Sequence, residues 1–163
     1  MKKRKIIDRT RAKTAWLCLP LILLLTWSAA AQEPVTNGYV GEAACQPCHE
    51  EEFESFHNLA KKSHSFESVQ KMAKGLPFDK VKACYDCHTT GYGKPGGFIS
   101  LEETPELKNA GCEVCHGPGK LHVATQSPEH ITREVTLEVC QECHIEDRVR
   151  AFRYKPKIYA GSH

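Results

Sequence analysis

The sequence predicts a mainly α-helical protein, built of short helices and long irregular loops. Three observations predict it. Four copies of one five-residue motif, Cys-x-x-Cys-His, punctuate the chain. Residues near those motifs recur at helical steps of three and four, but only over short runs. Aromatic and branched aliphatic side chains are too sparse after residue 31 to make a large ordinary core, so something other than side chains must fill the interior.

The first segment is a leader. Lys2, Lys3, Arg4, Lys5, Arg9, Arg11 and Lys13 precede an apolar run from Ala15 to Leu25, and Ser28-Ala29-Ala30-Ala31-Gln32 follows. Cationic, apolar and small-residue regions in that order are a secretory signal, with the cut expected after Ala31. The rival is a retained anchor facing the periplasm. Ala15 to Ala31 is only 17 residues and contains Pro20, which makes a poor span. No Arg-Arg pair precedes the apolar run, so export of an unfolded chain is expected over the twin-arginine route. Cys18 lacks small residues before it, unlike a lipoprotein signal. The organisation is therefore a signal peptide at 1–31 and one domain at 32–163. Removing the leader turns a net charge of +2 into −4, with 15 basic and 19 acidic side chains remaining. A basic nucleic-acid surface is excluded on that balance, and no stable membrane span is expected after cleavage.

The remaining eight cysteines fall as Cys45-Gln46-Pro47-Cys48-His49, Cys84-Tyr85-Asp86-Cys87-His88, Cys112-Glu113-Val114-Cys115-His116 and Cys140-Gln141-Glu142-Cys143-His144. Two thiols three positions apart on one turn can add to the two vinyl groups of one porphyrin. The following histidine then lies beneath the iron as its proximal ligand. Zinc ribbons need no histidine after each pair, disulfide scaffolds use irregular spacings, and a thioredoxin-like pair would be single. Four covalently attached haem c groups are thus expected, and the domain reads as a small multihaem cytochrome c fold. The porphyrins would supply the missing core, since each buries far more apolar area than any side chain.

Five histidines lie outside the motifs: His57, His64, His122, His130 and His163. After the leader the chain has one methionine, Met72, so bis-histidine ligation is expected for most irons, with lower potentials than His/Met sites. His49, Phe53, Phe56, His57, Ala60 and His64 fall at steps of three and four and are predicted to form one face of a helix. His64 is the stronger ligand candidate on that face. His57 is expected to pack against a ring edge or a propionate.

Along the rest of the chain the first cysteines of successive motifs stand 39, 28 and 28 residues apart, a hint of repetition without a strict period. Thr104-Pro105-Glu106 reads as a helix start leading into the third motif. Thr136 reads as the cap of a helix carrying Leu137, Cys140 and His144 on one side. Gly91-Tyr92-Gly93-Lys94-Pro95-Gly96-Gly97 and Gly117-Pro118-Gly119 read as irregular. No Gly-Lys-Ser/Thr follows them, so they are not phosphate loops, and their small residues are expected to let backbone approach a porphyrin face.

Three stretches, Tyr39 through His49, Cys84-x-x-Cys-His-Thr-Thr-Gly-Tyr-Gly-Lys-Pro-Gly-Gly-Phe98, and Ala110-Gly-Cys-Glu-Val-Cys-His-Gly-Pro-Gly119, carry a resemblance, with Lys62-Ser63-His64 also fitting. They resemble the cytochrome c-554 family of periplasmic tetrahaem carriers, known as partners of hydroxylamine oxidoreductase in ammonia oxidisers. The resemblance implies that His64 is the distal ligand of the fourth haem. It implies His122 for the first, with His130 as rival because the spacing differs, and His163 for the third. It also implies that the second haem, on His88, is five-coordinate.

Two functions follow from these expectations. The first is an electron carrier between redox partner proteins, with no catalytic residue. The second is a small oxidoreductase acting on hydroxylamine, nitrite or nitric oxide at the open second haem, near Asp86 and Tyr92. Catalysis there would need acid–base groups aimed at the bound ligand. Glu50, Glu51, Glu52 and Glu54 form either a docking surface for a basic partner or a solvated helix face.

Overall fold

A computed structural model describes residues Thr36–Ile145. Residues 1–31, for which a leader is expected, and His163 lie outside the described residues. These contain seven short α-helices, several 3-10 turns and no strand. The helices are α1 (Glu50–Leu59), α2 (Ser65–Ala73), α3 (Phe78–Lys82), α4 (Tyr85–His88), α5 (Cys112–His116), α6 (Lys120–Thr125) and α7 (Leu137–Gln141). No helix among the described residues is long and apolar enough to cross a membrane.

Each helix has a local cause. Glu50, Glu51 and Glu52 occupy the first turn of α1, where the helix dipole favours anions. In α2, Phe66, Val69 and Ala73 recur at helical spacing and turn inward, the first two fully buried. Gly75 and Pro77 end that helix and begin α3, with Pro77 at φ −59° as the N-cap. The Cys-x-x-Cys-His motifs then make their own turns. In the first, second and fourth motifs the N–H groups of the second cysteine and the histidine donate to the carbonyl of the first cysteine, at 2.9–3.3 Å.

The side-chain core is small. Phe66, Val69, Val81, Phe98 and Leu107 are buried together, with Tyr39, Tyr85 and Tyr92 packed against them. Tyr85 meets both Phe98 and Tyr92 edge-on at 5.2 Å between ring centres, a favourable aromatic geometry. Backbone bonds from Thr90 N to Leu107 O and from Phe98 N to Thr90 O, each 2.9 Å, close the loop after the second motif.

Several local expectations are corrected. The helix drawn through His49 to His64 breaks at Ala60, whose extended backbone (φ −92°, ψ 115°) separates α1 from a 3-10 turn over Lys61–His64. Ser63 causes the break: its N–H and its hydroxyl both donate to the Ala60 carbonyl, at 3.1 and 2.8 Å, in place of helical bonding. Thr104-Pro105-Glu106 starts only a 3-10 turn over Pro105–Leu107, not a helix into the third motif. The Thr104 hydroxyl accepts from Ile99 N at 2.8 Å instead of capping. Thr136 does stand at the N-cap of α7, yet its side chain makes no cap bond. The loop glycines serve chain packing. A Cβ on Gly91 (φ 69°) would lie 2.6 Å from the Tyr39 ring, and Gly97 sits directly on the Gly91 backbone.

Candidate haem sites

All eight described cysteines are free thiols, each pair set on one helical turn. Two of the histidines that follow them, His88 and His116, are held from behind. His88 Nδ1 donates to the Ser65 carbonyl at 2.9 Å, and His116 Nδ1 donates to the Thr132 carbonyl at 2.7 Å. A carbonyl can only accept, so these bonds select the Nδ1–H tautomer and leave Nε2 bare for a metal. Ser65 grips the second motif again through its hydroxyl, which donates to His88 O at 3.0 Å and accepts from Ala110 N at 2.9 Å. No sequence signal pointed to Ser65.

His122 faces the first motif. Its ring and that of His49 are 6.3 Å apart between centres and inclined by 28°. Two imidazoles bound through Nε2 to opposite sides of one metal, at about 2 Å each, would have centres about 6 Å apart. His122 Nδ1 donates to the Ser127 carbonyl at 2.8 Å, the same support given to the His88 and His116 rings. His130, the rival, is bonded through Nδ1 to the Thr125 hydroxyl at 2.8 Å.

His64 is exposed, with Nδ1 4.0 Å from Glu67 Oε1, and its ring lies edge-on to His57 at 6.1 Å. It lines a cavity of about 250 Å³ together with Phe66, Leu101, Pro105 and Asn109. His57 lies on Phe53 at 4.3 Å, with Nε2 3.3 Å from Glu42 Oε1. Burial pushes the Glu42 carboxyl above its ordinary range, against the pull of His57, His64 and Lys108. Near the second motif, Asp86 is exposed and Tyr92 turns its ring against Tyr85.

The motifs also touch one another. Cys45 and Cys112 share a thiol hydrogen bond, which lowers the pKa of Cys45 and raises that of Cys112. Burial, and then contact with Cys87, pushes the Cys143 thiol up to about 12. Cys140 is raised by burial and then by the nearby Cys115. As thioethers these sulfurs would not titrate, but their closeness would persist.

The residues fit haem. Paired thiols, carbonyl-braced imidazoles and the His49–His122 spacing are the donor set such a group needs. A core of five buried side chains leaves Leu59, Met72, Phe78 and Ile99 more than half exposed, as a chain that packs around a larger apolar body would.

One residue of the third motif was not anticipated. Glu113, between the two cysteines, is only 3 % exposed. Its carboxylate accepts from Gly41 N at 2.8 Å, Gly119 N at 2.7 Å and Val40 N at 3.1 Å.

A family model described as "Cytochrome c554 and c-prime" matches residues 44–117, which hold the first three motifs. The curated protein "Cytochrome c-554" of Nitrosomonas europaea is 33 % identical over 103 residues, covering 57 % of this chain and 42 % of that protein. The match thus spans less than half of that relative's length. No solved structure matches. Over residues 44–117 the chain is similar to the cytochrome c-554 family.

Proposed function

We propose that residues 32–163 form an exported, periplasmic tetrahaem carrier that passes electrons between redox partner proteins through four closely packed haems. The observation that supports it best is the contact pattern of the attachment cysteines. Cys45 meets Cys112, Cys115 lies near Cys140, and Cys143 meets Cys87. Motifs one, three, four and two therefore follow one another as neighbours in space, an order suited to a conduit.

Each cysteine pair would hold one haem by two thioethers, with His49, His88, His116 and His144 beneath the irons. Once bound, the haems supply four one-electron Fe(III)/Fe(II) couples. The chain's own work is to orient the ligands. The Ser65, Thr132 and Ser127 carbonyls fix the His88, His116 and His122 rings, so that no large rearrangement need accompany a change of charge. His122 would stand opposite His49, His64 would serve the fourth haem, and His163 the third. His130 would be left to Thr125. Partners would meet exposed haem edges in transient, salt-sensitive encounters. The exposed glutamates at 50, 51, 52 and 54 at the start of α1 suit a basic partner.

A reductive titration of the purified protein should take up four electrons per chain. The reduced protein should hand them to an oxidised small cytochrome within seconds, while hydroxylamine and nitrite are not turned over. Sustained consumption of either nitrogen compound would overturn the carrier reading in favour of an oxidoreductase.

A further inference from the structure

We propose that Glu113 is the charge that sets the potentials of the first and third haems, by holding a buried carboxylate anion between their attachment turns. The inference rests on haem attachment at those two motifs. Glu113 follows Cys112 directly, and Cys112 meets Cys45 of the first motif. Its negative charge is felt at the Cys45 thiol. A thioether sulfur would be bonded to a vinyl-derived carbon attached to the porphyrin, so a charge close to both sulfurs would be close to both rings.

The surroundings keep that charge in place. Both carboxylate oxygens only accept, from the backbone amides of Val40, Gly41 and Gly119, which is the pattern of an ionised carboxylate. No cationic side chain pairs with it among the described residues. Glu42, the other carboxylate near this junction, differs in facing His57 at 3.3 Å.

The three donors tie Glu113 to both sides of the first site. Val40 and Gly41 lead into Cys45, and Gly119 is the N-cap of α6, which carries His122. At Gly41 (φ 82°) a side chain is disfavoured, and a Cβ there would press on Glu106 at 3.1 Å. The cradle is therefore built into the turns that position the haem.

Reduction adds one electron, and so one negative charge, to each iron. That electron comes from the electrode or a donor protein, and no bond is made or broken. A fixed anion in a poorly solvated site opposes this gain and lowers the potential. Removing it should favour reduction on the order of tenfold at each of two haems, about 59 mV for a one-electron couple.

Spectroelectrochemical titration of Glu113→Gln, Glu113→Asp and Asp86→Asn tests this, with haem content counted for each. Asp86 occupies a motif too but is exposed, so its charge is screened by solvent. In Glu113→Gln, two of the four potentials should rise; Glu113→Asp, which keeps the charge, should shift them clearly less. Asp86→Asn should leave all four near their original values. A Glu113→Gln protein with four haems and unmoved potentials would overturn the proposal. So would equal shifts in the Gln and Asp variants, which would mark a purely structural role. Should the Gln variant fail to mature, redox-difference infrared spectra of the wild-type protein with labelled glutamate read the same claim. A glutamate carboxylate band that shifts on reduction of two haems supports it, and no shifting band contradicts it.

Discussion

Replacing His122 by alanine should give the oxidised protein a new high-spin ferric signal accounting for about one haem in four. The His122 ring stands 6.3 Å from that of His49 and nearly parallel to it, and its Nδ1 is anchored to Ser127 O. Losing it would leave the first iron with His49 alone, and a single imidazole gives a weaker ligand field. His130→Ala is the matched comparison, because that ring is bonded to Thr125. It should leave the spectrum unchanged. Low-temperature electron paramagnetic resonance on both variants decides the assignment. A high-spin signal produced by the His130 variant and not by the His122 variant would exchange their roles.

Chain made in the cytosol, where no haem is attached, should not fold. The longest helix among the described residues has ten residues, and most have six or fewer. Isolated helices below about 12–15 residues are marginal in water. A core of Phe66, Val69, Val81, Phe98 and Leu107 contributes about 1.5–3 kcal/mol per buried side chain. Ordering each residue's backbone costs about 1–2 kcal/mol, and residues 36–145 far outnumber the five. Far-ultraviolet circular dichroism of the haem-free chain should show little helix, with rapid digestion by trypsin. A cooperative thermal transition in that chain would show that the polypeptide holds its fold without haem.

How much was legible in the sequence differs from residue to residue. The Cys-x-x-Cys-His cysteines and histidines are legible as candidates because haem attachment would need a fixed local spacing, and one helical turn satisfies it. Distal ligands are not local. His122 and His130 are eight residues apart, and what separates them is the fold, through Ser127 O and Thr125 Oγ1. His64 was readable as a candidate, but the continuous helix drawn to it was not correct, because the Ser63 contacts at Ala60 compete with helical bonding. Glu113 was invisible for a physical reason. A glutamate between two haem cysteines has no special local pattern, and two of its donors, Val40 and Gly41, lie more than 70 residues earlier. The glycine-rich loop was readable as irregular, while its purpose was not: Gly91 makes room for Tyr39, and Gly97 for Gly91.

All four motifs are expected to carry haem on one exported chain. Intact-mass spectrometry of the purified protein under denaturing conditions tests it most directly, because thioether-bound haem survives unfolding. One species is expected, with the mass of residues 32–163 plus four haems and no free thiol in those residues. Fewer than four haems, or motif cysteines that still react with a thiol reagent, would contradict it.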